Sequence, residues 1–143
     1  MCIRDRVYDL QIAQDVSAFQ ASKALNSEYQ IIVTARPTAS IDRIRAIVDE
    51  EIARIQQAPP TDREFTRAIN QIEASFYDRM ERVGDFGGVG DQMNGHYFAT
   101  GNPGYFNEDL SRYRALSPAD IQAMAARFLP LNKRVELIVE PAK

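Results

Sequence analysis

The stretch Tyr29 to Gln56, YQIIVTARPTASIDRIRAIVDEEIARIQ, changes its hydrophobic period part-way, and that change decides the fold. Its first part, Tyr29 to Ala35, is rich in β-branched side chains and is bounded by Pro37, as a strand is. From Ser40 onward Ile41, Ile44, Val48, Ile52 and Ile55 recur at three- and four-residue steps, which is helical spacing. Ser40 can cap this helix, because its hydroxyl can accept from an otherwise unpaired amide of the first turn. Asp42, Arg45, Asp49 and Arg54 fill the opposite face, and Ala58-Pro59-Pro60 ends the helix, since proline cannot donate the next backbone bond.

Upstream, Asp15 to Ala21 (DVSAFQA) alternates Val16, Ala18 and Ala21 with polar residues, although Phe19 breaks the alternation. The polar segment Ser22 to Glu28 contains Asn26-Ser27, a turn dipeptide. An antiparallel hairpin is the simplest connection between the two strands.

Downstream the pattern is helical. Thr61-Asp62-Arg63-Glu64 is a capping box, and Phe65, Ile69, Ile72, Phe76, Met80 and Val83 form an amphipathic run that we expect to stop at Gly84. Asp91 to Ala99 is expected to resume a helix with Met93, Tyr97 and Phe98 buried. Asn102-Pro103 supplies a cap with proline at the first helical position, ahead of Phe106, Leu110 and Tyr113 on one face. Ser117-Pro118 repeats the signal ahead of Ile121, Met124 and Phe128, and Leu129-Pro130 closes that helix. Arg134 to Val139 (RVELIV) is expected to be a last strand. Segregated strands and helices predict an α+β sandwich, with helices on one face of an antiparallel or mixed sheet.

The 143 residues suffice for one modest domain, with no internal repeat and no second-domain boundary apparent. No apolar run is long enough for a helical membrane span. With 17 Lys and Arg against 20 Asp and Glu, and no basic cluster free of acids, the electrostatic footprint of a nucleic-acid binder is missing. Cys2 is the one cysteine and His96 the one histidine, so a His-rich zinc site, a Cys cluster and an internal disulfide are all excluded within this chain.

The candidate sites are few. Gly84, Gly87, Gly88 and Gly90 follow a helix rather than a strand, and Asp85 and Asp91 would repel a phosphate, so the cluster is expected to be a helix stop and tight turn. His96 has no nucleophile or ligand near it in sequence, and Glu73, Glu81 and Glu108 stand at no ligand spacing, so a packing or capping role is expected. The charged groups Asp49-Glu50-Glu51 and Arg79-Met80-Glu81-Arg82 are expected to be solvated faces, with Arg45–Asp49 and Asp78–Arg82 paired four residues apart. Arg112-Tyr113-Arg114 could bind an anion but is more simply the polar end of a helix. No residue of this chain is therefore assigned as catalytic, cofactor-binding or metal-ligating.

Residues 1–6, MCIRDR, resemble the translated adapter scar that begins many fragmentary metagenomic reading frames, and they lack the apolar stretch of a signal peptide. We expect native sequence over residues 7–143, with the frame truncated upstream.

From Leu10 onward the chain resembles the C-terminal portion of the insulinase-type, or pitrilysin, zinc peptidases. The resembling stretches run in order: LQIAQDVSAF (10–19), IIVTARP (31–37), IVDEEIARIQ (47–56), PPTDREFTRAINQIEASFYDRMERVGDFGG (59–88), GNPGYFNEDLSRYRALSPADIQAMAARFL (101–129) and RVELIVEP (134–141). The resemblance implies an incomplete second subdomain of a metalloendopeptidase, in which repeated α+β domains close around an unfolded peptide. In such a parent an H-x-x-E-H helix and a later glutamate hold zinc, which activates water and polarises the scissile carbonyl. That helix lies upstream of this chain, so zinc is implied for the parent alone. The family's Arg and Tyr, which bind substrate near the metal, fall at Val7 and Gln14, and the chain departs from the pattern at both. This is compatible with the tail of a zinc-bearing repeat.

The implied role is scaffold and wall of the peptide chamber, with the upstream subdomain and a second repeat as partners. The alternatives are the tail of a non-catalytic partner or assembly subunit, and a freestanding α+β binding module. Many bacterial relatives are exported, and nothing in the sequence decides the compartment.

Overall fold

The computed structural model describes residues 12–84 and 86–140. It is an α+β arrangement of one two-stranded sheet and five helices among those residues: β1 (Ala13–Ser22), β2 (Ser27–Ala35), α1 (Ile41–Gln57), α2 (Asp62–Met80), α3 (Val89–Thr100), α4 (Phe106–Arg114) and α5 (Pro118–Phe128). The strands form the expected antiparallel hairpin. Both are longer than the alternating cores suggested, and the turn is closed by the Lys23 amide donating to the Asn26 carbonyl at 2.9 Å. A Lys23–Glu28 ion pair at 2.8 Å spans the same turn. At the open end Arg36 donates its amide to the Ile12 carbonyl at 3.0 Å.

The chain divides into two compact units. The first holds described residues 12–20, 29–59 and 119–140. Its core forms where α1 meets the sheet: Ile47 and Ala13 are buried together, and Ile12, Val16 and Val33 pack around them. Helical spacing delivers Ile44 and Ile47 to that buried face, while the Ser40 hydroxyl accepts from the Arg43 amide at the helix start. Glu51, on the same face, is buried as well and pairs with Arg54 one turn on at 3.1 Å. The far ends of α1 and α5 cap each other. The Gln56 amide donates to the carbonyl of Leu129 at 2.7 Å, and the Gln122 amide donates to the Gln56 carbonyl at 3.2 Å. These bonds satisfy carbonyls that a helix end leaves without an internal partner.

The second unit holds residues 21–28 and 60–118, Asp85 aside. Its longest helix, α2, begins at the expected capping box, with the Thr61 hydroxyl accepting from the Glu64 amide while the Glu64 carboxylate accepts from the Thr61 amide. Packing of α2 against α4 buries Phe76 and Leu110.

Five expectations are corrected. The amphipathic run does not reach Gly84: α2 ends at Met80, and Val83 is 81% exposed, because the chain has already turned where the Val89 amide bonds the Arg82 carbonyl. Met93, Tyr97 and Phe98 are exposed rather than buried, since α3 turns Gln92 and His96, both half-buried, toward its neighbours instead. Asn102-Pro103 does not open a helix. The Asn102 side chain accepts from the Gly104 amide at 2.9 Å in a local turn that competes with helix, and α4 starts at Phe106. Glu51, expected on a solvated face, is buried, because helical spacing sets it on the same face as Ile44 and Ile47. Finally, 134–139 is not a strand: among the described residues no backbone bonds join it to a neighbour, and a strand exists only when paired.

Candidate functional site

Three helices of the second unit line a cleft of about 600 Å³. The spacing of Ala68, Ile72 and Phe76 puts them on one stripe of α2, and Leu110 of α4 extends the apolar lining. Arg79 of α2, His96 of α3 and Asp109 of α4 add charged and titratable groups. The mixture suits binding, with an apolar wall and a few convergent polar atoms.

His96 occupies the packing role expected of it. Its ring stands edge-on to Phe106 at 4.7 Å and to Tyr105 at 6.1 Å, in the orientation that aromatic quadrupoles favour. Its Nδ1 is buried and has no hydrogen-bond partner among the described residues. Among the described residues no carboxylate therefore holds this nitrogen, as one does in a catalytic pair.

The first unit carries its own polar constellation along α1. Asp49 accepts from both terminal nitrogens of Arg134, one of them at 3.1 Å, and Arg45 donates its Nε to Glu136 at 2.8 Å while also pairing with Asp42. Arg134 also lies 3.8 Å from Glu136. The result is an alternating chain of charge, Asp42, Arg45, Glu136, Arg134, Asp49. Hydrogen bonding to Glu136 raises the Arg45 pKa above its ordinary value, and Arg45 in turn holds the Glu136 carboxyl below the usual carboxylate range. Asp49 raises Arg134 in the same way. The expected Arg45–Asp49 pair is thus replaced: each residue takes a partner remote in sequence, which spacing along a helix cannot reveal. The Asp78–Arg82 pair stands as expected, at 3.0 Å.

The remaining candidates resolve into structure. Gly87 has φ +80°, a left-handed conformation that glycine adopts without steric cost, and its amide donates to the Asp91 carboxylate at 3.1 Å. The loop is a turn between α2 and α3, and an aspartate already holds the amide that a phosphate would need. Asp85 lies outside the described residues. In Arg112-Tyr113-Arg114, Arg114 pairs with Glu73 at 2.6 Å, and that hydrogen bond raises its pKa. Gln14 is exposed on β1, and Val7 lies outside the described residues.

Among the described residues no three His, Cys, Asp or Glu side chains gather as a metal site. His96 faces aromatic rings rather than acids, so these residues do not fit a zinc ion.

No protein-family model matches the chain, and no curated protein matches it. Among solved structures, one from Bordetella parapertussis is described as the inactive peptidase domain of a candidate zinc protease. It superposes with a TM-score of 0.74 over 95% of this chain and 72% of the other, at 16% identity.

The chain shares its fold with an inactive peptidase domain. The resemblance expected from the ordered stretches between residues 10 and 141 is met at that level: a peptidase-domain α+β fold over nearly the whole length. At 16% identity the fold is what is shared, and no residue role passes with it.

Proposed function

We propose that this chain is part of a zinc-peptidase-type domain of the insulinase/pitrilysin kind. In this reading it supplies scaffold and wall to a peptide-binding chamber and does not cleave peptide bonds by itself. The observation that supports this most directly is the fold shared with an inactive peptidase domain over 95% of the chain. The sequence adds a strict limit. With one histidine, an H-x-x-E-H helix cannot occur in these 143 residues, so zinc and its ligands belong to other parts of the parent. The partners are an upstream subdomain and a second repeat, and the substrate of the assembly is an unfolded peptide.

A second reading is the tail of a non-catalytic partner subunit, favoured by the inactivity of the structural neighbour. Sequencing the source DNA upstream of Arg6 separates the two. An H-x-x-E-H helix followed by a glutamate supports a working zinc repeat, whereas an open frame of the same fold without them supports the non-catalytic partner. A genuine start beside Val7 would sink both and leave a freestanding module. Independently, the purified chain with added zinc is expected to leave a quenched fluorescent peptide library uncut. Hydrolysis abolished by a chelator would contradict the proposal.

A further inference from the structure

Residues 134–140, Arg134-Val135-Glu136-Leu137-Ile138-Val139-Glu140, alternate with period two, as an extended chain does. Arg134 and Glu136 point at α1 and are held there by Asp49 and Arg45. The intervening row, Val135, Leu137 and Val139, is 98%, 85% and 84% exposed. Among the described residues, no backbone hydrogen bond ties the segment to a strand. An anchored, unpaired segment with an apolar row is a template for strand addition.

We infer that a second copy of this chain fills that edge, the two 134–140 segments pairing antiparallel about a two-fold axis at Leu137. The pattern of charges selects this occupant and this register. With Leu137 opposite itself, Arg134 faces Glu140 twice, Val135 faces Val139 twice, and Glu136 faces Ile138. Every charged pair is then opposite in sign, and the apolar rows of both copies share one face. Slipping by two residues in one direction sets Glu136 against Glu136; slipping in the other sets Glu136 against Glu140 twice. Slipping by one residue places charged side chains on the apolar row. Parallel pairing in register stacks Arg134 on Arg134 and Glu140 on Glu140. Among antiparallel registers that pair five or more residues of each segment this one survives, and it is self-complementary, as a two-fold interface requires.

The test is sedimentation velocity of the full chain over a wide concentration range, with cysteine cross-linking in a Cys2→Ser background to read the register. The expected mass rises reversibly from 16.2 kDa toward twice that value. Leu137→Cys forms a disulfide dimer on mild oxidation, because antiparallel pairing brings the two Cα atoms to about 4.5–5.5 Å, within disulfide reach. Val135→Cys and Val139→Cys cross-link only when mixed with each other. Glu140→Arg, which sets two like-charged pairs in the interface, weakens association by about tenfold. Circular dichroism confirms that each variant is folded. A monomer at every concentration overturns the inference. So does Val135→Cys cross-linking to itself as fast as Leu137→Cys, or a dimer indifferent to Glu140→Arg. Protection of the 135–139 amides from hydrogen exchange in a monomer also overturns it, because the edge would then be filled within one chain.

Discussion

Asp49 grips Arg134 across 85 residues of sequence, a carboxylate on α1 engaging both terminal nitrogens of a guanidinium on the C-terminal segment. The planar fork of arginine matches a carboxylate in this way, and the geometry fixes direction as well as distance. Together with Arg45–Glu136 it holds a segment that has no strand partner among the described residues.

Replacing that fork tests its role. Arg134→Met keeps the length of the side chain and removes the charge. Both partners are about one-third exposed, so the expected loss of stability is small, about 0.2–1 kcal/mol. The larger effect is local: nuclear-spin relaxation should show faster motion of the 134–140 backbone while α1 and α5 are unchanged. Relaxation that stays the same throughout the segment would show that something other than Asp49 secures it.

Acid should release the same segment from its other anchor. Arg45 holds the folded Glu136 pKa below the ordinary glutamate value of about 4.3, so between the two values the unfolded chain binds more protons. The contribution is therefore fully present above the unfolded pKa and lost as pH falls through the folded one. Melting curves of the wild type and Glu136→Gln should differ most above about pH 5 and converge in stronger acid. A gap between the two curves that ignores pH would count against this linkage.

Ile47 is the best-buried apolar side chain, at 1% exposure, and Ala13 of β1 lies against it. Ile47→Ala removes that contact and leaves a cavity, with an expected cost of about 2–5 kcal/mol in chemical denaturation. Ile41→Ala, on the same helix but outside this cluster, should cost clearly less. Equal costs would mean that the α1–sheet contact is not the centre of this unit.

The sequence by itself determined what neighbouring residues can settle among themselves. Ser40, the Thr61–Glu64 box and Pro118 start helices where expected, because caps act within one turn, and the hairpin follows from two β-branched runs separated by a polar turn. One histidine in 143 residues also settled that no zinc helix of the peptidase kind is encoded here. Tertiary structure alone decided which face of each helix is covered. Met93, Tyr97 and Phe98 are as apolar as any buried stripe, yet His96 is the α3 side chain set against Phe106. It also decided the partners of Arg45 and Asp49 and the state of Arg134 to Val139. A single strand makes no backbone bonds of its own, so its β-branched residues state a preference that only a neighbouring edge can satisfy.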